Sequence, residues 1–150
     1  MIEIKIITEN KKQFLDILLL ADEEEHMIDR YLDRGDLFVL YDENEKKSIC
    51  VVTHEEEGIY ELKNLATYPA FHRLGYARYL VKYILNFYKS KNATSIMVGT
   101  GYNTSTVIFY KKCGFIESHI IKNFFTDNYS KPIIDDGKQL IDMIYLKKDI

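Results

Sequence analysis

The residues best suited to chemistry in this 150-residue chain form one short stretch, His72-Arg73-Leu74-Gly75-Tyr76-Ala77, running into Arg78-Tyr79-Leu80-Val81. It follows an apolar, strand-like run from Glu61 to Thr67, across a turn marked by Pro69, and it opens a long helical pattern. A strand-to-helix loop of this kind suits an anion, phosphate above all. The first turn of a helix presents unpaired N–H groups and the positive end of the dipole. A tight turn with close helix packing would use the same glycine for geometric reasons alone. No other cluster carries chemistry as clearly. The four histidines are scattered, Cys50 and Cys113 have no metal-ligand spacing, and no metal site is expected.

Elements on both sides must hold that loop in place. Ile2, Ile4 and Ile6 alternate with charged residues, the period-two pattern of a half-buried strand. Phe14, Ile17, Leu18 and Ala21 recur at helical spacing, which predicts a helix from about Lys11 to Leu20. Asp22-Glu23-Glu24-Glu25 reads as the cap and acidic first turn of a second helix, with a solvated helix start favoured over a substrate site. Met27, Ile28, Tyr31 and Leu32 form its apolar stripe and Gly35 ends it.

Three strands follow, Leu37–Tyr41, Ser48–Thr53 and Ile59–Thr67, joined by polar turns as an antiparallel meander. The helix after the loop spans about Gly75 to Ser90, with Tyr76, Tyr79, Leu80, Tyr83, Ile84 and Phe87 on one face. Ser95–Val98 is a short strand, Gly99 to Asn103 a glycine-punctuated loop, and Thr104 to Cys113 a compact helix ended by Gly114. Strands at Phe115–Lys122 and Leu140–Lys147 enclose a long connection, Asn123 to Gln139, of the kind that usually covers something.

The order β-α-α-β-β-β-α-β-α-β-β predicts an α/β mixed sheet of about seven strands, mostly antiparallel and flanked by four helices. All of 1–150 is expected to form a single domain. A net charge of −3 argues against a nucleic-acid binder. No apolar run approaches a membrane span and the first residues hold no signal-peptide core, so a cytoplasmic chain with free, buried thiols is expected.

Three features coincide in order and spacing. His72-x-x-Gly75-x-Ala77 opens a helix, Leu65-Ala66-Thr67 ends a strand just before it, and Asn103-x6-Tyr110-x3-Gly114-Phe115 follows about thirty residues on. Together they resemble the GNAT family of N-acetyltransferases, over essentially the whole domain, and the tail from Tyr129 to Met143 is similar to bacterial members assigned to small-molecule acetylation. The resemblance implies a GNAT-like fold and acetyl transfer from acetyl-CoA, used as co-substrate without a metal, to an acceptor amine. It implies that the pyrophosphate lies on the backbone of Arg73, Leu74, Gly75, Tyr76 and Ala77. His72 stands where the family usually has Gln or Arg, so the fixed cation is offset to Arg73 or Arg78, and a surface role for His72 is the alternative.

The resemblance further implies that Leu65 and Thr67, with Ala66 between them, pair with the pantetheine arm, that Asn103 caps the short helix and contacts the cofactor, and that Tyr110 is the general acid toward sulfur. A packed aromatic is the alternative for Tyr110. An alkylamine is protonated near neutrality, so a base or a water relay is needed, and Glu61 is the candidate. Glu61, Lys63 and Leu65 are expected on one strand face, with Glu61 about 13 Å from Leu65. A solvent-facing carboxylate paired with Lys63 is the alternative. Phe124, Phe125 and Tyr129, with Asp127, Asp135 and Asp136 nearby, are candidates for an acceptor pocket, since aromatic walls with carboxylates suit a cationic amine. A packed lid is the alternative. The expected partner is a small amine. A protein or peptide acceptor, or an acyl-CoA-binding module without turnover, are the competing readings, and the tyrosine-rich helix permits a homodimer.

Overall fold

The computed structural model describes residues 1–150. Seven strands form one mixed sheet: β1 (Ile2–Ile7), β2 (Asp36–Asp42), β3 (Glu45–Glu56), β4 (Ile59–Thr67), β5 (Ser95–Gly101), β6 (Ile116–Ile121) and β9 (Met143–Asp149), in the spatial order β1-β2-β3-β4-β5-β9-β6. Only β4 and β5 run parallel. The helices are α1 (Leu15–Ala21), preceded by a 3-10 turn at Lys11–Phe14, α2 (Glu25–Ile28), α3 (Tyr76–Lys89), α4 (Ser105–Lys112) and α5 (Phe124–Asn128). A two-stranded ribbon, β7 (Ile134–Asp135) and β8 (Lys138–Gln139), completes the chain. No helix is long and apolar enough to cross a membrane.

The sheet carries a core on each face. Leu80, Val81, Ile84 and Tyr88 of α3 and Val107 and Tyr110 of α4 bury against Phe38, Cys50, Val52, Leu62 and Val98. On the other face Ile17 and Leu18 of α1, with Ile28, Tyr31 and Leu32, cover Leu37, Val39, Ile49 and Val51. A smaller cluster, Phe125, Ile133 and Met143, seats the long connection. Both cysteines are free thiols, Cys50 buried and Cys113 half-buried.

Several expectations need correction. The connection from 123 to 139 is not a bare loop: it holds α5 and the ribbon, so five helices accompany the sheet rather than four. The second helix is one turn, and Glu24 rather than Asp22 precedes it, because the Asp22 side chain is drawn inward by two tyrosines. Strand β5 runs through Gly101, where a loop was expected. Its glycines admit neighbours from the β9 side, since a Cβ on Gly99 would stand 2.5 Å from the Met143 sulfur. The buried face of α3 is centred on Leu80, Val81, Ile84 and Tyr88, leaving Tyr79 at 47% exposure.

The correction that matters most for the site is a β-bulge in β4. Val51 stands opposite Asn64 and Val52 opposite Leu62, so Lys63 is an extra residue. The alternation shifts at that point. Leu62 and Leu65 both join the α3-side core, while Asn64 and Ala66 turn to the α1 side. Glu61, Lys63 and Leu65 therefore do not share one face.

Candidate active site

Strands β4 and β5 pair only from Ile59–Ser95 to Leu62–Val98. Beyond that point they splay, and residues 63–67 keep one edge without a neighbouring strand, although β3 still holds the other edge. A cleft of about 540 Å3 opens there and passes through the sheet. Tyr110 reaches it from the α4 side, and Asp22, Phe125 and Tyr129 reach it from the opposite face. Leu65, Ala66, Thr67 and His72 line it, together with Gly99 and Thr100.

At one end lies the loop before α3. Arg73 and Gly75 both have left-handed backbones, with φ 63° and 87°. No side chain caps α3, and the backbone N–H groups of residues 73–78 make no hydrogen bond within the chain. A Cβ on Gly75 would meet nothing within 4 Å, so its φ demands the glycine and the space above it is open. Convergent, unpaired amides at the start of a 14-residue helix are a ready anion cradle. Arg73 and Arg78 have no acidic partner, whereas Leu74 and Tyr76 contribute backbone, Leu74 with its side chain 64% exposed. His72 does something the sequence did not suggest. Its Nε2 lies 2.9 Å from the Thr67 carbonyl oxygen, so with Nε2 carrying the proton it ties the loop to the end of β4. Thr67 is held in turn by Ser48, whose hydroxyl also donates to the Ala66 carbonyl.

Tyr110 is buried between Phe109 and Phe115, and its hydroxyl has no hydrogen-bond partner in the protein although the residue lines the cleft. Burial pushes its phenol well above the ordinary tyrosine range. The group keeps its proton at any working pH and can serve as an acid but not as a base. Asn103 is exposed in a left-handed turn, outside the cleft, and Thr104 takes the N-cap position expected of it. Thr100, Thr104 and Thr106 instead form a chain of hydroxyls at the mouth, with Thr104 donating to the Gly101 carbonyl.

Glu61 is nearly buried, and its Oε2 receives both the Tyr145 hydroxyl and the Lys63 ammonium, each at 2.9 Å. No donor in the chain reaches Oε1. Glu61 is not among the residues that line the cleft, whereas its neighbours Leu62 and Lys63 are. The same contact burdens Tyr145, whose phenol is pushed up by burial and by the Glu61 carboxylate.

Phe125 and Tyr129 stack at 5.7 Å and line the cleft, whereas Phe124 packs edge-on behind both. Tyr129 donates to Asp22 Oδ1 at 2.6 Å and Tyr31 donates to Oδ2 at 2.8 Å. Burial raises the Asp22 carboxyl. Asn64, 3% exposed, donates from Nδ2 to the Leu18 carbonyl and to the Tyr31 hydroxyl. Asp127 and Asp136 are exposed and Asp135 reaches the cleft. Asn64, Tyr31 and Tyr145 carry no site reading in the sequence, and Asp22 is read there as a helix start in preference to a substrate site. A lone amide inside the apolar run Leu62 to Ala66 was the one signal that could have flagged Asn64.

Comparison with known proteins matches this geometry. The family profile described as "Acetyltransferase (GNAT) domain" matches residues 33–117, more than half of the chain. An uncharacterized N-acetyltransferase of Bacillus subtilis, YvbK, is 30% identical over 151 residues, covering 99% of this chain and 97% of that protein. A GNAT family acetyltransferase from Elizabethkingia anophelis, solved with acetyl-CoA bound, is 34% identical with a TM-score of 0.94, covering 99% of this chain and 98% of that one. A Bacillus subtilis acetyltransferase solved in complex with CoA is 28% identical with a TM-score of 0.91, covering 100% and 99%. With the splayed strands, the uncapped loop and the buried tyrosine, these matches establish that the chain belongs to the GNAT family of acetyltransferases.

Proposed function

We propose that this protein transfers the acetyl group of acetyl-CoA to a primary amine of a small molecule. The fit of the donor rests on the unpaired amides of residues 73–78, on the open space above Gly75 and on the free edge of residues 63–67. The first would hold a pyrophosphate, and the last would pair with an amide-bearing arm as a further strand does. In the reaction the amine nitrogen bonds to the acetyl carbon, the carbon–sulfur bond breaks, and the thiolate leaves.

The chain's own groups divide the remaining work. Tyr110, protonated throughout, donates its proton to the departing sulfur. A backbone N–H of Leu65 or Ala66 on the free edge meets the developing oxyanion. Glu61 accepts the amine proton at Oε1 through solvent in the cleft, because it stands one residue behind the lining while Lys63 and Tyr145 hold Oε2. The exact partner on the amine side is small because the connection 123–139 is pinned across that face. Ser130 and Lys131 donate their backbone N–H groups to Glu24, and Tyr129 donates to Asp22. A peptide would need an open groove at this place.

That pinned connection is the observation that carries the choice of a small acceptor. The test is release of free thiol from acetyl-CoA across a panel of amines and peptides, with Glu61→Gln run beside the wild type. Small amines should be acetylated and peptides should not. Glu61→Gln should lose about tenfold or more at neutral pH and recover at alkaline pH, where more of the amine is already neutral. Full activity of Glu61→Gln at every pH would remove Glu61 from the mechanism. Acetylation of peptides alone would overturn the small acceptor.

A further inference from the structure

The buried hydrogen bonds on the amine side of the cleft leave one atom out. Asn64 Oδ1 is the buried side-chain polar atom without a partner. Its orientation is fixed by its neighbours. Nδ2 donates to the Leu18 carbonyl, which can only accept, and to the Tyr31 oxygen, whose own proton goes to Asp22. Oδ1 therefore cannot exchange places with Nδ2, and Asn64 is one of the residues that line the cleft. A buried acceptor left unpaired is destabilising, so the site is complete only when a donor arrives.

A second imbalance lies beside it. Asp22 is 9% exposed and each of its oxygens accepts a phenolic proton, an arrangement made for the ionised form, yet it has no ion-pair partner. Glu23 and Asp135 line the same cleft, also without ion pairs, whereas the one lysine there, Lys63, is engaged by Glu61. An unpaired amide oxygen and an uncompensated carboxylate on one wall ask for a group that is both cationic and rich in N–H donors. That group is not the reacting amine. A carboxylate neighbour would keep the amine protonated, and a protonated nitrogen cannot attack a thioester.

We infer that Asn64 Oδ1 and Asp22 form a recognition site for a second ammonium group of the acceptor, so that the substrate is a diamine or polyamine acetylated at its other end. The inference rests on the small-amine reading above and sharpens it. Asn64 and Asp22 are specificity-determining residues, and Tyr31 and Tyr129 position Asp22.

The test compares n-butylamine with α,ω-diamines of three to six carbons, using the CoA-bound protein for binding calorimetry and acetyl-CoA for turnover. At least one diamine should bind at least about tenfold more tightly than n-butylamine, the size expected for one charge-assisted hydrogen bond near 1.4 kcal/mol. Asn64→Leu and Asp22→Asn should each bring diamine and monoamine within about threefold of one another, the loss appearing in KM rather than kcat. Should those variants not fold, the wild-type side-chain amide signals of Asn64 give the same answer, shifting on titration with the diamine and not with n-butylamine. Equal binding of all the amines to the wild type overturns the inference while leaving the acetyltransferase reading intact. Tight diamine binding without acetylation of any amine does the reverse.

Discussion

The two walls of the cleft are built on opposite plans. The wall from the β4 edge through the loop to α3 works with backbone: amides of residues 73–78 left unpaired, a free strand edge at 63–67, and a glycine with φ 87° that turns the chain without touching anything. The wall facing it works with side chains that are nearly all satisfied. Asp22 and Glu24 gather donors from Tyr31, Tyr129, Ser130 and Lys131, some of them 107 residues away. A backbone cradle reads a feature that every acetyl donor shares. A side-chain wall can change its preference with one substitution. On the function proposed above, the donor falls to the first wall and selectivity among acceptors to the second.

If that division holds, damage on the donor side should be indifferent to the amine supplied. The largest effect is expected at Tyr110. Tyr110→Phe keeps the ring between Phe109 and Phe115 and removes only a hydroxyl that has no partner in the protein, so stability should barely move. Turnover should fall about 100-fold, by the same factor for each amine, with acetyl-CoA affinity unchanged in calorimetry. A loss that varied strongly from amine to amine would place Tyr110 on the acceptor side and break the comparison.

A smaller effect is expected at Gly75. Gly75→Ala introduces no clash, since nothing lies within 4 Å of the new Cβ, and so it tests the backbone alone. The left-handed conformation should cost about 1–2 kcal/mol in a denaturant titration. Any relaxation of φ turns the amides away from their common focus, so acetyl-CoA should bind about tenfold more weakly, again irrespective of the amine. Unchanged affinity would mean that the cradle is not made by these amides.

The same contrast explains what could be read from the chain. Strand β4 was legible residue for residue, Ile59 to Thr67, because its apolar pattern and its bounding turns are local. The loop at Gly75 was legible because a glycine before a helix has few uses. The bulge at Lys63 was not, since a period-two pattern has no way to mark an extra residue, and it put Leu65 on the face of Leu62, away from Glu61. Asp22-Glu23-Glu24-Glu25 looked like a helix start because that signal is also local, but hydrogen bonds from Tyr31, Tyr129 and Ser130 outweighed it. Their partners are fixed only once α5 and the ribbon are seated on Met143, and nothing near residue 22 announces that.

The smallest effect, and the one most specific to the acceptor wall, belongs to Glu24. Backbone N–H donation from Ser130, helped by His26, the Ser130 hydroxyl and Lys131, holds its carboxyl at about 2, against an ordinary 4.5. A depressed carboxyl contributes stability that is complete above the ordinary value and is lost as pH falls toward the depressed one. Acid should therefore loosen the connection between about pH 4.5 and pH 2. The amide signals of Ser130 and Lys131 should titrate with a midpoint near 2, and in Glu24→Gln they should be flat. At neutral pH the same variant should raise the KM for amines a few-fold and leave acetyl-CoA binding as it was. If those amides titrate near 4.5 instead, Glu24 does not hold the connection, and selectivity among amines would have to come from Asp22 and Asn64 alone.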